Sequence, residues 1–425
     1  MERSDTCSSS VTQPVAKKIK RVYKRRKTNP SLEFYNKKEV DYYKQLTVEK
    51  KGVIVDLESQ IVNINSTNVP NRFRILESNS DDKIKAIAIQ KINQLARIDC
   101  NSSDFNKISQ WIETMVNIPF GKFISLPVKE THDSIVKASF LKKIKENLDK
   151  EVYGHIDAKQ HMVRIMAQWV NNSDSKGISI GIHGPMGCGK TSFVKSLCKS
   201  LNIPHGIIAL GGISDASFLE GHGYTYEGSK HGKIVDTLIK CKCMNPIIFF
   251  DELDKISDTP KGWEIMNILI HLTDPIQNHA YVDRYFAELD IDLSRCIFIF
   301  SYNDKEKISP ILKDRLITIE TPGYKHSDKL TICTQYMIPS ILSDFKMDKD
   351  DVVFSNEIVI EIINYIEEEK GVRNLKRGIV DIISNINLNI LMENSIKIPY
   401  KVTSKDVNKY VYAKKNTCLQ NGMYL

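Results

Sequence analysis

Four short apolar runs, separated by longer amphipathic stretches, lie between residues 150 and 325 and constrain the fold of this chain most. The runs cover residues 178–183, 207–210, 247–250 and 297–301. Strands that are apolar along their whole length are typical of parallel sheets buried on both faces. We therefore predict an α/β fold in which helices cover both faces of a parallel sheet.

Helical periodicity precedes this central part. Apolar residues recur every three or four positions from Ile84 to Leu95, which predicts a helix from about residue 80. A second helix is predicted over residues 105–116. Pro119 cannot continue it, so the segment around this proline is a candidate hinge.

Helical periodicity also follows the central part, after Pro322. One predicted helix contains Ile358 and Ile366 and stops at Gly371, and another runs from about Leu375 to Ile390. These two helices predict a separate helical domain at the C-terminal side of the sheet.

Nearly all of the net charge of +8 lies at the N-terminus. Residues 1–28 hold nine Lys or Arg and two acidic residues, and residues 17–27 form a split basic cluster. The first forty or so residues have little apolar periodicity, which predicts a disordered tail, bounded at residue 45. The cluster could be a nucleic-acid arm, a nuclear targeting signal or a tether to phosphate-rich surfaces, or it could be a solvated tail without further function.

The composition argues against membrane and secreted proteins. No apolar run approaches the roughly 18 residues that span a bilayer, and the first thirty residues lack the apolar core of a signal peptide. The nine cysteines contain no C-x-x-C pair, and several lie within apolar runs, as reduced thiols do. We therefore predict a soluble, intracellular protein without a membrane partner.

A glycine-rich phosphate-binding motif directly follows the first apolar run and precedes an amphipathic stretch over residues 192–201. It matches G-x-x-x-x-G-K-[ST], in which backbone N–H groups close around phosphate oxygens at a helix N-terminus. The lysine would reach the β- and γ-phosphates, and the threonine hydroxyl would bind Mg²⁺. The motif consists of Gly184, Pro185, Met186, Gly187, Cys188, Gly189, Lys190 and Thr191.

Polar residues follow the third and fourth apolar runs, where parallel strands would end. Asp251 and Glu252 end the third run, and Asn303 comes shortly after the fourth. The carboxyl ends of the strands form the ligand-binding edge of an α/β sheet. We expect Asp251 to bind Mg²⁺ and Glu252 to orient and deprotonate the attacking water. Asn303 would position that water, although an Asn after a strand is also a common turn former.

The order of these motifs resembles that of AAA+ ATPases. The residues within the motifs are similar to those of the ATPase module of the Lon proteases. The resemblance covers residues 118–411. In that family a hinge similar to Pro119 and Phe120 ends a helical unit. A tyrosine-glycine element, here Tyr153 and Gly154, then lies near the adenine of the bound ATP.

The resemblance also implies a pore loop that grips a polypeptide in the central channel of a ring. Lon-like chains have G-H-x-x-T-Y-x-G-S at this place, and residues 221–229 match it. Tyr226 would be the aromatic residue of the pore loop. Glu227 stands where the family usually has an aliphatic residue, and an acid there weakens an apolar grip on the substrate.

Two arginines resemble the charge-neutralising groups of the family. Arg315 lies in P-I-L-K-D-R, similar to the P-L-L-D-R whose arginine finger reaches the ATP of the neighbouring subunit. Arg373 lies in G-V-R-N-L, similar to the lid motif that senses the γ-phosphate in the same subunit. A finger that acts on a neighbour requires self-association, and the family usually forms hexameric rings.

Composition, helical periodicity and the resemblance together predict four parts of the chain. They are a basic tail over residues 1–45, a helical N-terminal unit with a hinge over 46–145, an AAA+ α/β domain over 146–325 and a helical lid domain over 326–425. Only fourteen residues follow Val411, and they hold no Ser-Lys dyad motif, so we expect no intrinsic peptidase.

The function that follows is Mg²⁺-dependent ATP hydrolysis that drives remodelling or unfolding of a protein substrate in an oligomeric ring. A nucleic-acid motor or loader, a nucleotide-gated scaffold with slow turnover, and a subunit paired with a separate peptidase stay open as alternatives. A closer resemblance, through T-Y-E-G-S and E-L-D-K, is to Lon-like ATPases of large DNA viruses. It implies a location in the host cytoplasm or nucleus, or in the virion.

Overall fold

The chain forms two compact units, residues 1–70 and residues 71–425, which are described separately. The domain boundaries predicted at residues 45, 145 and 325 stay predictions. The basic cluster over residues 17–27 lies outside the described residues. The computed structural model describes residues 35–65, 69–128, 131–172, 176–225, 228–366, 369–393 and 398–411.

The first unit contains helices α1 (Lys37–Gln45) and α2 (Val48–Asn65). Asn36 caps α1: its side-chain oxygen accepts the Glu39 N–H at 3.0 Å, and the Glu39 carboxylate accepts the Asn36 N–H at 2.8 Å. This reciprocal pair satisfies two backbone donors at the helix start. The prediction of a disordered tail up to residue 45 is therefore wrong for residues 37–45.

The second unit begins with helices α3 (Asn71–Leu76), α4 (Asp82–Leu95) and α5 (Ser103–Asn117). Helices α4 and α5 are the two that the periodicity predicts. Helix α5 ends before Pro119, as expected, and its buried face consists of Ile108, Trp111, Ile112 and Met115.

A five-stranded parallel sheet follows. It confirms the predicted α/β fold and the four predicted strands. The fifth strand was not predicted, because it lies at the sheet edge and only one of its four residues is buried. The strands are β1 (Ser179–His183), β2 (His205–Ala209), β3 (Ile247–Asp251), β4 (Ile297–Tyr302) and β5 (Ile317–Glu320). They lie in the sheet in the order β2-β3-β4-β1-β5.

Helices pack against both faces of this sheet. Successive residues of a strand point to opposite faces, so the continuous apolar runs supply two cores. Ile247, Phe249 and Ile299 pack into one core, and Phe250 and Phe300, whose rings stack at 5.0 Å, pack into the other. The helices are α6 (Ser134–Glu151), α7 (Ile156–Asn171), α8 (Lys190–Leu201), α9 (Ser217–Glu220), α10 (Lys233–Cys241), α11 (Pro260–Thr273) and α12 (Pro310–Arg315).

The C-terminal part is mainly helical, as predicted. The predicted helix stop at Gly371 is wrong. The helix that contains Ile358 ends at Tyr365, because the backbone is extended at Ile366. No helix within the described ranges is long and apolar enough to cross a bilayer. The elements are α13 (His326–Ile332), α14 (Ile338–Asp344), β6 (Val352–Val353), α15 (Asn356–Tyr365), α16 (Arg373–Glu393), β7 (Tyr400–Lys401) and α17 (Ser404–Tyr410).

Candidate nucleotide-binding site

The glycine-rich motif forms the loop between β1 and the first turn of α8. Gly187 and Gly189 have φ values of 77° and 82°, a left-handed conformation that glycine adopts without a steric penalty. Lys190 is the first residue of α8. The loop therefore delivers the free backbone N–H groups of a helix N-terminus, which favour anions.

The side chain of Lys190 is held by three oxygen acceptors. Its Nζ donates to the carbonyls of Gly184 at 2.6 Å and Pro185 at 2.8 Å, and to Asn303 Oδ1 at 2.7 Å. Burial lowers the pKa of Lys190, although the nearby Asp251 raises it. An ammonium group held by neutral carbonyls in a partly desolvated place gains strongly from a phosphate oxygen.

Two side chains brought together at the end of β3 offer oxygen atoms to a cation. The Asp251 carboxylate is fixed by the Ser301 hydroxyl and by the Glu252 N–H, which it accepts at 3.1 Å. Asp251 and Thr191 line the same cavity. A carboxylate and a hydroxyl, with phosphate and water for the remaining positions, form a donor set that suits Mg²⁺. These residues therefore fit the predicted ion.

Glu252 has a left-handed backbone, with φ of 61°, and an exposed side chain. A non-glycine residue with this φ is uncommon, and it lets Glu252 point away from the line of β3. The Glu252 side chain also lies in the cavity wall. The turn thus places a second carboxylate next to Asp251 without burying it.

Asp254 holds Asn303, and sequence reasoning missed this role. The Asp254 side chain is fully buried and accepts the backbone N–H of Asn303 at 3.1 Å, while Lys255 lies 3.4 Å from its other oxygen. The side-chain oxygen of Asn303 is thereby left for Lys190. The available signal was the D-E-x-D-K run, in which Asp254 follows Glu252 by two positions.

A cavity of about 720 Å³ joins these residues to the start of α16. Arg373 lines it, and the backbone N–H of Val372 donates to the Gly187 carbonyl at 3.2 Å. Lys376 and Arg377, from the next turn of α16, line it too and were not predicted as site residues. Helix α16 thus lines the cavity with three cations and the carboxylate of Asp381.

Tyr153 and Gly154 line a neighbouring cavity of about 730 Å³. Tyr324 lies in its wall and donates its hydroxyl to the Cys188 carbonyl at 3.1 Å. His155 Nε2 lies 3.0 Å from the same carbonyl, and burial lowers the pKa of this histidine. The phosphate-binding loop therefore has one cavity lined by its lysine and another beside the tyrosine-glycine element.

Arg315 does not line either cavity. Its Nη1 donates to the Ile270 carbonyl at 2.5 Å, and its Nη2 lies 3.2 Å from the Asp274 carboxylate. The structure therefore separates Arg315 from the Lys190 site of its own chain. Tyr226 and Glu227, the predicted pore-loop residues, lie outside the described residues.

This chain is similar to known proteins in its central domain and in the regions on both sides of that domain. The family model described as "ATPase family associated with various cellular activities (AAA)" matches residues 180–322. A Lon protease homolog of Acanthamoeba polyphaga mimivirus is 32% identical over 351 residues, which cover 81% of this chain and 34% of the relative. The predicted resemblance to the Lon branch, including its viral members, is confirmed.

Cellular relatives give the same result. A Helicobacter pylori Lon protease is 34% identical over 331 residues, 75% of this chain and 38% of the relative. The mitochondrial Lon protease homolog of Saccharomyces cerevisiae is 32% identical over 324 residues, 76% of this chain and 28% of the relative. The chain thus spans about a third of the length of these curated relatives. Sheet order, phosphate-binding loop and relatives together lead to one conclusion: residues 180–322 are an AAA domain, and the chain is Lon-like over three quarters or more of its length.

Proposed function

We propose that the chain hydrolyses ATP in a Mg²⁺-dependent reaction at the cavity beside Lys190. The observation that carries this proposal is that Lys190, Asp251, Glu252 and Asn303 line one cavity at the carboxyl edge of the sheet. Three adjacent strands, β1, β3 and β4, bring them there. The arrangement supports phosphoryl transfer, in which positioning and charge stabilisation supply most of the catalysis.

Binding would use both cavities. The triphosphate would take the N–H groups of the glycine-rich loop and the ammonium of Lys190, in place of the two backbone carbonyls that now accept from it. Thr191 and Asp251 would hold Mg²⁺, which neutralises phosphate charge when bound. The adenine would lie in the neighbouring cavity, beside Tyr153 and Gly154.

Hydrolysis would use the groups that face the γ-phosphate position. Glu252 would orient the attacking water and take its proton, and Asn303 would fix that water through its amide. Arg373 would neutralise charge that develops on the transferred phosphoryl group. Lys376 and Arg377 line the same wall and add two positive charges there, beside the single carboxylate of Asp381.

We also propose that Arg315 acts on the ATP of a neighbouring subunit in a ring of six subunits, the number usual in the family. Its separation from the cavities of its own chain supports this reading. Ring motion would remodel or unfold a protein substrate through the loop that contains Tyr226. Glu227 would narrow the range of tolerated substrates.

The experiment is Mg²⁺-ATP turnover by the purified chain, with the mass measured by light scattering. Glu252→Gln and Arg315→Ala should each lower turnover by roughly 100-fold or more without preventing ATP binding. A mixture of the two inactive variants should regain part of the activity, because some interfaces then combine an intact Glu252 with an intact Arg315. Turnover that neither variant changes would contradict the site, and an absence of turnover in the wild type would favour the nucleotide-gated scaffold.

A nucleic-acid motor or loader is the second candidate, because the basic cluster over residues 17–27 carries much of the net charge. Binding of DNA or RNA through this cluster would weaken steeply with salt, since phosphate contacts release counterions. Deletion of residues 1–28 should then abolish the binding and leave turnover intact. Binding that survives the deletion would rule out the cluster as the nucleic-acid arm.

A separate peptidase would be detected by co-purification with the ring.

A further inference from the structure

Lys91 of α4 is a nearly buried cation that touches three other segments. Its side chain is 12% exposed, and Nζ lies 3.1 Å from the Glu288 carboxylate. Nζ also lies 4.9 Å from the centre of the Tyr224 ring and 5.6 Å from the centre of the Trp111 ring. A cation between a carboxylate and two aromatic faces is stabilised by all three. Lys91 therefore joins helices α4 and α5 to two loops of the ATPase domain.

A second lysine contacts the same short stretch. Lys107 of α5 donates from Nζ to the backbone carbonyl of Thr225 at 3.3 Å. Next to it, Trp111 packs against Phe286 with ring centres 5.4 Å apart. Side chains of the N-terminal helices α4 and α5 thus contact both Tyr224 and Thr225, next to the packed rings of Trp111 and Phe286.

Hydrogen bonds also connect residues 221–225 with residues 228–232 of the same loop. The His222 N–H donates to the Lys230 carbonyl at 3.1 Å, and the Ser229 hydroxyl donates to the Gly223 carbonyl at 2.7 Å. These contacts join the described parts on both sides of residues 226 and 227. A constraint on Tyr224 is therefore a constraint on both arms of the loop.

We propose that Lys91 is a positioning residue that fixes the 221–232 loop to helices α4 and α5, so that loop and helix pair move as one unit. The inference rests on the proposed function in one respect, the action of this loop on a polypeptide. Its consequence is that the N-terminal helices share the force and the substrate contact of the loop. Lys91 lines neither cavity of the candidate ATP site, so it takes no part in the chemistry of ATP.

The test uses the full chain and three variants of α4. Lys91→Met keeps the apolar stem and removes the charge, Lys91→Arg keeps the charge, and Lys83→Met removes an exposed charge from the same helix. The first readout is hydrogen exchange of backbone amides in residues 221–225. Lys91→Met should exchange there roughly tenfold faster than wild type, because the ion pair and cation–π contacts are lost. Lys83→Met should match wild type, and Lys91→Arg should restore most of the protection.

The second readout is turnover with and without casein as an unfolded polypeptide. Basal kcat and KM for ATP should stay within about twofold of wild type in Lys91→Met, since the ATP site is untouched. The casein concentration that gives half-maximal stimulation should rise, and Lys91→Arg should restore it. Glu288→Gln removes the negative charge that pairs with Lys91 and should change both readouts in the same direction as Lys91→Met. This variant replaces Lys91→Met in the test if Lys91→Met fails to fold.

The outcomes separate the two proposals. Unchanged exchange of residues 221–225 in Lys91→Met would overturn the positioning role. Faster exchange throughout β3 and β4 as well would also overturn it, because the lysine would then act only on global stability. If casein fails to stimulate the wild type while the exchange result holds, the action on polypeptides is wrong and the attachment of the loop stands.

Discussion

The ammonium group of Lys190 lies 2.7 Å from the side-chain oxygen of Asn303. The two residues follow neighbouring strands, and the buried Asp254 holds the backbone of Asn303 in place. The amide is therefore fixed in orientation before any phosphate arrives. Preorganised dipoles of this kind contribute to catalysis because they need no reorganisation during the reaction.

Replacement of Asn303 should separate hydrolysis from binding. Asn303→Ala should lower kcat roughly 100-fold, since a fixed dipole is lost next to the reacting phosphoryl group. The affinity for ATP should change little, because Lys190 keeps its charge. Steady-state turnover and fluorescent-nucleotide binding check the two quantities.

Asn303→Asp is the matched variant, because it keeps the size of the side chain. The new carboxylate would form an ion pair with Lys190 and compete with the phosphates for its ammonium group. We therefore expect weaker ATP binding in Asn303→Asp than in Asn303→Ala. Equal binding by the two variants would show that the Lys190–Asn303 contact does not bear on nucleotide affinity.

Gly211 gives a test of Glu252 that leaves Glu252 itself intact. A methyl group on Gly211 would lie 2.2 Å from a carboxylate oxygen of Glu252, so the carboxylate must move. The end of a flexible side chain moves at little expense in stability, but a displaced base loses its water. Gly211→Ala should lower kcat by about tenfold or more and leave the melting temperature and ATP binding near wild type.

Gly52→Ala is the control, because nothing lies within 4 Å of the methyl group it adds. It should leave kcat unchanged. A wild-type kcat in Gly211→Ala would mean that hydrolysis tolerates movement of the Glu252 carboxylate and would weaken its assignment as the base.

The sheet and the phosphate-binding loop were predictable because their signals are local. Continuous apolar runs mark strands buried on both faces, and the loop has a fixed spacing of glycines and lysine. The edge strand Ile317–Glu320 lacks that signal, because its neighbours cover only part of it. The end of α15 at Tyr365 depends on a local turn at Ile366 that apolar periodicity does not register.

The contacts that orient the site were not predictable, because they join distant parts of the chain. Asp254 and Asn303 are separated by 49 positions, and only the packing of β4 beside β3 brings them together. Arg315 likewise forms an ion pair with Asp274, which lies 41 positions earlier in the chain. Motif order identified these residues, while tertiary structure decides what each of them touches.

Asp274 should affect hydrolysis through Arg315. Asp274→Asn keeps the side-chain oxygen that accepts the Ile276 N–H but removes the charge that faces the guanidinium. If this ion pair aims Arg315 at a neighbouring subunit, turnover should fall about tenfold, against roughly 1,000-fold for Arg315→Ala. The measurement is turnover at a protein concentration where light scattering shows an assembled ring. A wild-type rate in Asp274→Asn would show that the finger is aimed by other contacts.

Asp283 should make stability depend on pH. The residue is fully buried beside the 221–232 loop, where it accepts the N–H groups of Gly232 at 2.8 Å and Tyr285 at 2.9 Å. Burial raises the pKa of Asp283 to about 7, and these two hydrogen bonds oppose that rise. The ordinary value in an unfolded chain is near 3.8. Between these values the folded state holds a proton that the unfolded state lacks.

The sign follows from this proton difference. The contribution of Asp283 to the free energy of unfolding is fully present below its unfolded pKa and is lost as pH rises through the folded one, at roughly 1 kcal/mol per pH unit. Asp283→Asn, which resembles the protonated acid, should therefore gain stability relative to wild type between about pH 5 and about pH 7. Urea denaturation over this range checks it, with Asp290→Asn as an exposed control from the same loop. If the difference in free energy of unfolding between Asp283→Asn and wild type stays constant over this range, the buried carboxyl does not titrate there. The hydrogen bond from Gly232 to Asp283 would then be insensitive to pH.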